Sequence, residues 1–384
     1  MIIQSQKVWI GTQFIACQIE IEDQHIKAIY PYNTKAVDKD YGSAKIIPGI
    51  IDIHIHGGFG VDTNDATEDQ LRYLQENLVK EGLTAFLPTT ITQTEEVLTR
   101  ALKNVAKVYE NPAKGTEIIG VHFEGPYLDM EFKGAQPPEC IVAPSIEQFD
   151  RFQKAANGLI KVITMACEHD PEFALTHYLA KNGICVSQGH TGATYEQSLM
   201  AIANGARGYT HTFNGMSRFG HRDLNVVGAD MRTRDVFGEI IVDGNHAAFD
   251  AVNIFMKSKG ADHSILISDA IIGKGEPIGS KFMFGNHPIQ IKENGSAYLL
   301  DSPTNSLAGS TLRSNVGIQN IIEKVGLDWE FAVKAASTNP ARYLRMDDQY
   351  GYIRAGYKAS LTILHDDFSV AATYVKGECL YENI

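Results

Sequence analysis

Residues 47–62 read IPGIIDIHIHGGFGVD, an apolar run that carries two histidines and ends in glycines. The run from Ile46 to Ile55 is rich in β-branched residues, which is typical of a strand buried on both faces. Alternate side chains of a strand point the same way, so His54 and His56 share one face. Two neighbouring imidazoles at the end of a buried strand are typical of half a metal site, and equally of two hydrogen-bonded histidines in a turn.

The composition indicates a globular protein and excludes several other classes. The 384 residues are 44% hydrophobic and 21% charged, which is ordinary for a globular chain with a large core. The net charge of -12 argues against a nucleic-acid-binding surface and means that an anionic ligand needs a local basic pocket. No apolar run approaches the roughly 18 residues of a membrane span, and the first residues lack a signal-peptide pattern. Five scattered cysteines favour a reducing compartment, so we expect a cytoplasmic protein that binds neither nucleic acid nor membrane.

Strand-like apolar runs alternate with amphipathic helical stretches eight times after residue 45. Several helical stretches end at glycine, a common C-terminal stop signal. Eight β–α units in one chain predict an α/β fold, a (β/α)8 TIM-like barrel. The eight strand-like runs are KIIPGIIDIHIH, TAFLPTTI, TEIIGVHFEG, IKVITMACEH, GICVSQGHT, GYTHTFN, GEIIVDGNH and SILISDA.

Both chain ends are composed of short strand-like pieces and turns. Residues 1–47 contain KVWIG, QFIACQIEIED and HIKAIYPY, and residues 346–384 contain GYIRAGYKASLTILHDD and AATYVKGECLYENI. We expect these pieces to pair in a small β-sandwich domain built from both ends. Residues 48–345 then form the barrel, which includes an excursion at 271–312 followed by two helices.

Histidines and carboxylates gather where the predicted strands end, which is where barrel enzymes carry their active sites. The chain has 13 histidines, and a large share of them falls at these few positions. Imidazole and carboxylate ligands together suit zinc or iron, with an open coordination position for water. In strand order the residues are His54 and His56, His122 and Glu124, Glu168 and His169, His190, His211 and Asn214, Asp243 and His246, and Asp269.

Nine motifs follow one another from residue 48 to the C-terminus: PGIIDIHIHGGFGVD, HFEGPYL, KGAQ, GHT, THTFNGM, DGNH, SDA, LAGS and GYIRAGYKASLTIL. In these motifs the chain resembles the amidohydrolase superfamily, and within it the N-acetylglucosamine-6-phosphate deacetylases. The H-x-H pair marks only the superfamily, whereas HFEGP followed by GHT, THTFNGM and DGNH is specific to the deacetylases. The resemblance covers nearly the whole chain.

The resemblance implies a site for one or two divalent metals per chain. Glu124, His190 and His211 match the core metal ligands of the family. His54 and His56 match the first-strand pair of the superfamily, which some deacetylases lack, and their presence adds ligands for a second metal. Zinc or iron is expected, with cobalt and manganese as alternatives.

The resemblance also implies a reaction, the hydrolysis of N-acetylglucosamine 6-phosphate to glucosamine 6-phosphate and acetate. A metal-activated hydroxide attacks the acetyl carbon, and Asp269 matches the general base and acid, while a role as metal ligand alone stays open. The matching substrate-binding positions are Ala135, Gln136, Asn214, Gly215, Arg222, His246, Leu307, Ala308 and Gly309.

Two of these positions carry expectations of their own. Gln136 stands where some members have a histidine that polarises the acetyl carbonyl, and we hypothesise that a second metal at the H-x-H pair makes that histidine dispensable.

Arg222 is the candidate phosphate ligand because a guanidinium binds phosphate bidentately, and Arg218 and His221 are its rivals. The resemblance implies a homodimer with its site near the interface, so Arg222 serves either its own or the neighbouring subunit.

Three other interpretations stay open on the sequence. One is a deacetylase of another N-acetyl-hexosamine 6-phosphate, such as N-acetylgalactosamine 6-phosphate, because a few pocket contacts decide sugar stereochemistry. Another is a cyclic-amide hydrolase. Such enzymes usually carry a bridging lysine at the third or fourth strand, and Glu124 in this chain counts against that interpretation. The third is a non-catalytic barrel scaffold, although such proteins typically lose ligands that this chain keeps.

Overall fold

The computed structural model describes residues 1–302 and 306–383, and within them eight parallel strands form the predicted barrel. All eight strand-like runs of the sequence contribute a strand. We number them barrel strands 1 to 8, and their bounds are Ile50–Ile55, Leu83–Thr90, Val121–Glu124, Ile160–Met165, Cys185–Gln188, Ala206–Tyr209, Phe237–Ile241 and Ser264–Ile267.

The barrel strands pair in sequence order, and the barrel nearly closes between strand 1 and the chain that follows strand 8. A parallel bridge joins Ile55 to Ala270 at this seam. The backbone N–H of Asp269 donates to the carbonyl of His54 at 2.9 Å, and the N–H of His56 donates to the carbonyl of Ala270 at 2.8 Å. The seam therefore brings the H-x-H motif of His54 and His56 beside Asp269.

Helices cover the outside of the barrel and bury their apolar faces against the strands. Thr67 and Thr194 each form a capping box with a glutamine three residues later, which sets the start of two of these helices. No helix in the described part of the chain is long and apolar enough to cross a membrane. The helices are Glu68–Leu78, Glu95–Glu110, Ile146–Ala155, Ala174–Lys181, Tyr195–Ala203, Asn225–Arg232, Phe249–Lys259, Ser314–Glu323, Trp329–Val333 and Asn339–Tyr343.

The largest apolar cluster lies between the barrel strands and these helices. All eight residues of Leu83–Thr90 are buried, as expected for a parallel strand that is covered on both faces. The ring of Phe123 on strand 3 packs 4.9 Å from that of Phe152 on the next helix. This dense packing makes the strand ends a rigid platform for side chains.

Strands from both chain ends lie in one sheet beside the barrel, as predicted, and hydrogen bonds run through the whole sheet. Lys45–Pro48 joins the two ends, because it pairs with the N-terminal strand on one side and with Leu361–Leu364 on the other. This sheet has an apolar cluster of its own. The domain boundaries at residues 47/48 and 345/346 stay a prediction. The strands are Ile2–Ile10, Gln13–Glu22, His25–Pro31, Lys39–Asp40, Lys45–Pro48, Leu361–Leu364, Val370–Val375 and Glu378–Glu382.

The excursion after strand 8 contains a small antiparallel sheet that the sequence analysis did not predict. Its strands are Lys281–Phe284, His287–Ile291, Ala297–Leu299 and Leu307–Gly309. An apolar cluster joins Phe284 and Ala308 of this sheet to Ile91, which follows barrel strand 2. The sheet therefore rests on the rim of the barrel at the C-terminal ends of the strands.

Candidate active site

Six predicted residues meet at the C-terminal end of the barrel, and all six are buried. They come from the ends of five different barrel strands, which the closure of the barrel brings together. They are His54 and His56 from strand 1, Glu124 from strand 3, His190 after strand 5, His211 after strand 6 and Asp269 after strand 8.

The two carboxylates lie among the four imidazoles. Glu124 Oε1 is 3.2 Å from His190 Nε2, 3.1 Å from His211 Nε2 and 3.5 Å from His54 Nε2. Asp269 Oδ1 is 3.4 Å from His54 Nε2. The Nε2 atom of His56 lies 3.2 Å from Asp269 Oδ1 and 3.5 Å from Glu124 Oε2. His54 and His56 therefore face both carboxylates at once.

The outer ring nitrogens of three of these histidines contact hydrogen-bond acceptors on other parts of the barrel. When Nδ1–H donates a hydrogen bond to such an oxygen, the neutral ring has its lone pair on Nε2, which faces the centre of the cluster. The pairs are His54 Nδ1 with Glu239 Oε2 at 3.0 Å, His56 Nδ1 with the Thr89 carbonyl at 3.2 Å and His190 Nδ1 with the Phe132 carbonyl at 2.9 Å.

This donor set fits a divalent metal. The Nε2 atoms of His54 and His56 are 3.3 Å apart, and those of His190 and His211 are 3.2 Å apart. Two lone pairs at such distances repel each other unless a proton or a cation lies between them. Four imidazole nitrogens and two carboxylates are the ligands that zinc and iron take in proteins.

The protein's own groups keep both carboxylates ionised. Burial opposes the charge of Glu124, yet His190, His211 and His54 hold its pKa well below the ordinary value. Burial likewise opposes the charge of Asp269, and the hydrogen bond from His56 with the neighbouring histidines lowers its pKa to about 2. In return, Asp269 and Glu124 overcome burial and raise the pKa of His56 to about 9.

Three of these residues adopt backbone conformations that non-glycine residues rarely take. His190 has a φ of 48°, His211 of 32° and Asp269 of 48°, all in the left-handed region. Such a turn directly after a strand aims the side chain across the mouth of the barrel. Its cost is about 1–3 kcal/mol per residue, which the surrounding structure must offset, and strained residues of this kind cluster at functional sites.

A cavity of about 340 Å³ opens above the cluster. It contains eight of the nine predicted substrate-binding residues, and Ile91 and Phe284 add to its apolar wall. The predicted residues on its surface are Ala135, Gln136, Asn214, Gly215, His246, Leu307, Ala308 and Gly309.

Arg222 is the predicted residue that the structure does not bring to this cavity. It is exposed in the loop after strand 6, and so are its rivals Arg218 and His221. Among the described residues that line the cavity there is no lysine or arginine. The described walls therefore offer an anionic ligand no lysine or arginine side chain.

Gln136 is engaged at both ends of its amide. Its Oε1 accepts from the backbone N–H of Thr92 at 2.6 Å, and its Nε2 donates to Glu124 Oε2 at 2.6 Å. Gln136 thus fixes the Glu124 carboxylate from the cavity side. The hypothesis that a second metal makes a polarising histidine dispensable at this position stays a prediction.

His246 is held by a neighbouring carboxylate. Its Nδ1 lies 2.7 Å from Asp243 Oδ2, while Asp243 Oδ1 accepts from the backbone N–H groups of Asn245 and His246. Burial opposes the charge of Asp243, but the hydrogen bond from His246 lowers its pKa below the ordinary value. This arrangement leaves His246 Nε2 as the polar atom available to a ligand.

Sequence reasoning missed two residues of the site. Glu239 hydrogen-bonds His54 from within strand 7, and the available signal was a carboxylate inside the apolar run GEIIV. Phe284 packs with its ring centroid 5.6 Å from that of His56, and it comes from an excursion whose sequence gives no such signal. His122 lies beside the cluster, where its Nδ1 contacts the Ile53 carbonyl at 2.8 Å and its Nε2 contacts the Thr164 hydroxyl at 2.7 Å.

His169 and Glu168, the remaining pair at the end of strand 4, lie outside the cavity lining. His169 Nε2 lies 2.6 Å from Asp129 Oδ2, and about half of its side chain is exposed. Glu168 accepts from the Thr191 hydroxyl and from the N–H of Gly192, both at 2.7 Å. The two residues therefore brace the loops around His190.

Comparisons with known proteins agree on one enzyme family, although the substrates in the relatives' names differ. A model of the amidohydrolase family matches residues 46–380. An N-acetylglucosamine-6-phosphate deacetylase of Bacillus subtilis (strain 168) is 36% identical over 339 residues, 88% of this chain and 84% of that one. An N-acetylgalactosamine-6-phosphate deacetylase of Escherichia coli O157:H7 is 30% identical over 361 residues, 94% of each chain. A solved N-acetyl-D-glucosamine-6-phosphate deacetylase variant of Mycobacterium smegmatis, in complex with its sugar phosphate, superposes with a TM-score of 0.92 at 28% identity over 99% of both chains.

Proposed function

The chain belongs to the amidohydrolase family, and on that premise we propose that it hydrolyses N-acetylglucosamine 6-phosphate to glucosamine 6-phosphate and acetate. One observation carries the proposal: four histidine Nε2 atoms converge on Glu124 and Asp269 at the floor of a cavity of about 340 Å³. The Bacillus subtilis and Mycobacterium smegmatis relatives carry the name of this deacetylase, which supports the choice of substrate.

The metal centre of the proposal uses all six clustered residues. Glu124, His190 and His211 would hold one divalent metal, and His54, His56 and Asp269 would provide the ligands for a second. Zinc or iron suits these ligands first, and cobalt and manganese are alternatives. A divalent metal bound by these residues would supply a water whose pKa is lowered to about 7 and a Lewis acid for the acetyl carbonyl.

Asp269 moves the proton. Its low pKa keeps it a carboxylate at neutral pH, so it accepts the proton of the attacking water. The same carboxyl group then delivers that proton to the sugar nitrogen as the amide bond breaks. Products are acetate and the free amine of glucosamine 6-phosphate, which balances the consumption of one water.

The other cavity residues bind and orient the sugar. His246 Nε2 accepts a hydrogen bond from a sugar hydroxyl, because Nδ1 is held by Asp243. Ile91, Phe284 and Leu307 form the apolar wall that packs against the acetyl methyl group and excludes water.

The phosphate calls for a cation that the described cavity lining does not provide. Arg222 lies exposed in the loop after strand 6, close along the chain to Asn214 and Gly215, which do line the cavity. We propose a homodimer in which Arg222 binds the phosphate group, with Asn214 and Gly215 adding neutral donors. We place this homodimer in the cytoplasm.

Hydrolysis of N-acetylgalactosamine 6-phosphate is the second candidate function. The Escherichia coli relative with that name supports it, since it is 30% identical over 94% of this chain. The two sugars differ at one hydroxyl group, which a few contacts of the cavity would distinguish. A non-catalytic scaffold is disfavoured because the chain keeps the complete ligand set and Asp269.

The experiment that tests the proposal is acetate release from three substrates: N-acetylglucosamine 6-phosphate, N-acetylgalactosamine 6-phosphate and unphosphorylated N-acetylglucosamine. The protein is purified without chelator and its metals are counted. We expect the highest kcat/KM for the first substrate. A higher kcat/KM for N-acetylgalactosamine 6-phosphate would make its hydrolysis the favoured function. Equal kcat/KM values for N-acetylglucosamine with and without the phosphate group would refute a phosphate site.

A further inference from the structure

We propose that Glu239 is a positioning residue that fixes His54 as a metal ligand and so sets the metal affinity of the His54 side of the site. Glu239 lies within barrel strand 7, and its residue is 2% exposed. The inference rests on the metal centre of the proposed function, but it does not depend on which sugar is hydrolysed.

The geometry ties Glu239 to two of the proposed ligand residues. Its Oε2 lies 3.0 Å from His54 Nδ1, and the same oxygen accepts from the backbone N–H of His211 at 3.3 Å. Glu239 thus connects strand 7 to strand 1 and to the end of strand 6. Its Oε1 has no hydrogen-bond partner among the described residues.

Glu239 distinguishes His54 from the other histidines of the cluster. The Nδ1 atoms of His56 and His190 contact neutral backbone carbonyls, whereas that of His54 contacts a carboxylate. A carboxylate that accepts the Nδ1 proton holds the ring in one orientation and makes Nε2 a stronger electron donor. His54 is therefore the histidine whose affinity for a metal depends on a side chain rather than on the backbone.

The surroundings of Glu239 do not favour a negative charge. Within the described part of the chain, no lysine or arginine forms an ion pair with Glu239. Burial, and then the charges of Glu124, Asp269 and Asp52, raise the pKa of Glu239 well above its ordinary value. A divalent metal ligated by His54 through its other nitrogen would add a nearby positive charge and so favour the carboxylate form of Glu239.

The test measures zinc affinity in a series of variants. Glu239→Met removes the acceptor at similar volume, and Glu239→Gln keeps one acceptor oxygen without the charge. The protein is equilibrated with zinc buffers of graded free concentration, and bound zinc is counted per chain. We expect Glu239→Met to need about 10- to 100-fold more free zinc to fill one equivalent, with Glu239→Gln between it and the wild type.

The His54→Asn variant shows which of the two zinc equivalents depends on His54, and therefore which one Glu239→Met should weaken. If Glu239 acts through His54, the double variant Glu239→Met/His54→Asn loses no more zinc affinity than His54→Asn alone. Asp170→Asn is the matched control, because Asp170 is a buried carboxylate that accepts from Leu175 N–H and Thr176 N–H, away from the cluster. It should lower the melting temperature and leave zinc binding unchanged.

Four results would overturn the inference. The first is a Glu239→Met variant that binds zinc with wild-type affinity, and the second is a double variant in which the losses of zinc affinity from the two substitutions add. The third is a loss of zinc affinity in Asp170→Asn as large as that in Glu239→Met. The fourth is a His54→Asn variant with unchanged zinc affinity. If Glu239→Met fails to fold, the visible absorption of the cobalt-loaded Glu239→Gln variant decides, since a changed His54 ligand alters that spectrum. Failure of the sugar assignment would instead appear as a wild type that binds zinc normally and releases no acetate.

Discussion

His56 Nε2 lies 3.2 Å from Asp269 Oδ1, and the contact crosses the seam at which the barrel closes. The first histidine motif and the last carboxylate motif of the barrel therefore meet only in the closed fold. The bridge between Ile55 and Ala270 sets their register directly. A slip of one residue there would turn one of the two side chains away from the cavity, because neighbouring residues of a strand point to opposite faces.

The Asp269→Asn variant tests proton transfer. An amide of the same shape cannot accept the proton of water, so we expect kcat to fall by about 10²- to 10⁴-fold, the usual contribution of a positioned acid or base. Acetate release at saturating substrate measures this. Bound metal must be counted in the same sample, because Asp269 also faces His54 and His56. A variant with full metal and an undiminished kcat would exclude Asp269 as the base.

The Arg222→Met variant tests the phosphate site. We expect a higher KM for the phosphorylated sugar and little change for the unphosphorylated one, because only the phosphate contact is lost. Arg218→Met is the matched control, as it removes a charge from the same exposed loop. The assignment would be wrong if Arg218→Met raised KM and Arg222→Met did not.

Mixing subunits shows which chain's Arg222 is used. Arg222→Met and Asp269→Asn subunits are denatured together, refolded and assayed at low substrate. If Arg222 serves the partner's site, each mixed dimer holds one complete site, and about a quarter of the wild-type activity returns. If Arg222 serves its own site, no mixed dimer is complete and activity does not return.

Metal binding should release protons at neutral pH. The pKa of His56 is raised to about 9, so its ring carries a second proton and a positive charge at pH 7 in the metal-free protein. The carboxylate of Glu124 and the Phe132 carbonyl overcome burial and raise the pKa of His190 as well. Metal displaces these protons, and its affinity should therefore rise with pH and level off above about pH 9. Zinc titration calorimetry in two buffers of different ionisation enthalpy, at pH 7 and pH 9, counts them. Equal proton release at both pH values would contradict the charges assigned here.

The same linkage makes the stability of the metal-free protein depend on pH. A histidine with a raised pKa stabilises the fold fully below the unfolded value of 6.5, and this contribution is lost as pH rises through its folded value. Burial lowers the pKa of His54 well below 6.5, so its contribution has the opposite sign and is unfavourable in acid. The contribution of His56 to the free energy of unfolding should thus decline between about pH 6.5 and pH 9 and should be insensitive to pH in the metal-loaded protein.

A buried ion pair outside the site provides a test of the fold alone. Lys259 Nζ lies 2.7 Å from Asp230 Oδ1, and both side chains are fully buried between the helices after strands 6 and 7. Lys259→Met leaves the Asp230 charge without its partner and should lower the free energy of unfolding by about 3–5 kcal/mol. Urea unfolding measures it, and the double variant Lys259→Met/Asp230→Asn should recover part of the loss. A loss below about 1 kcal/mol in the single variant would show that the pair is not a buried charge pair.

The sequence predicts those parts of the molecule whose signal is local. Barrel strand 1 is recognisable because IIDIHI is apolar and β-branched, and the eightfold alternation of strands and helices then predicts a barrel. Strand-end positions place the six clustered residues at one rim together with several others, and the resemblance to the deacetylases singles out the six. The phosphate ligand does not follow from the sequence in this way, because the loop of Arg222 carries several cations and no local signal tells which one turns toward a site.

Contacts that depend on the packing of distant segments escape such reasoning. Phe284 reaches His56 only because the excursion after strand 8 folds into its own sheet and rests on Ile91. Gln136 donates to Glu124 from a loop that lines the cavity, and nothing in the sequence makes its amide face Glu124 rather than a ligand. Glu239 gave a signal, a charge within a buried strand, but its partner His54 could be identified only once the barrel was closed.

Return of metal to the stripped enzyme tests the central claim most directly. Metal is removed with a chelator, zinc is added back in small steps, and acetate release from N-acetylglucosamine 6-phosphate is followed at each step. The account predicts no release from the stripped enzyme and a rate that rises to a plateau as the residues around Glu124 fill with metal. Full activity without metal, or a fully loaded enzyme that releases no acetate, would contradict it.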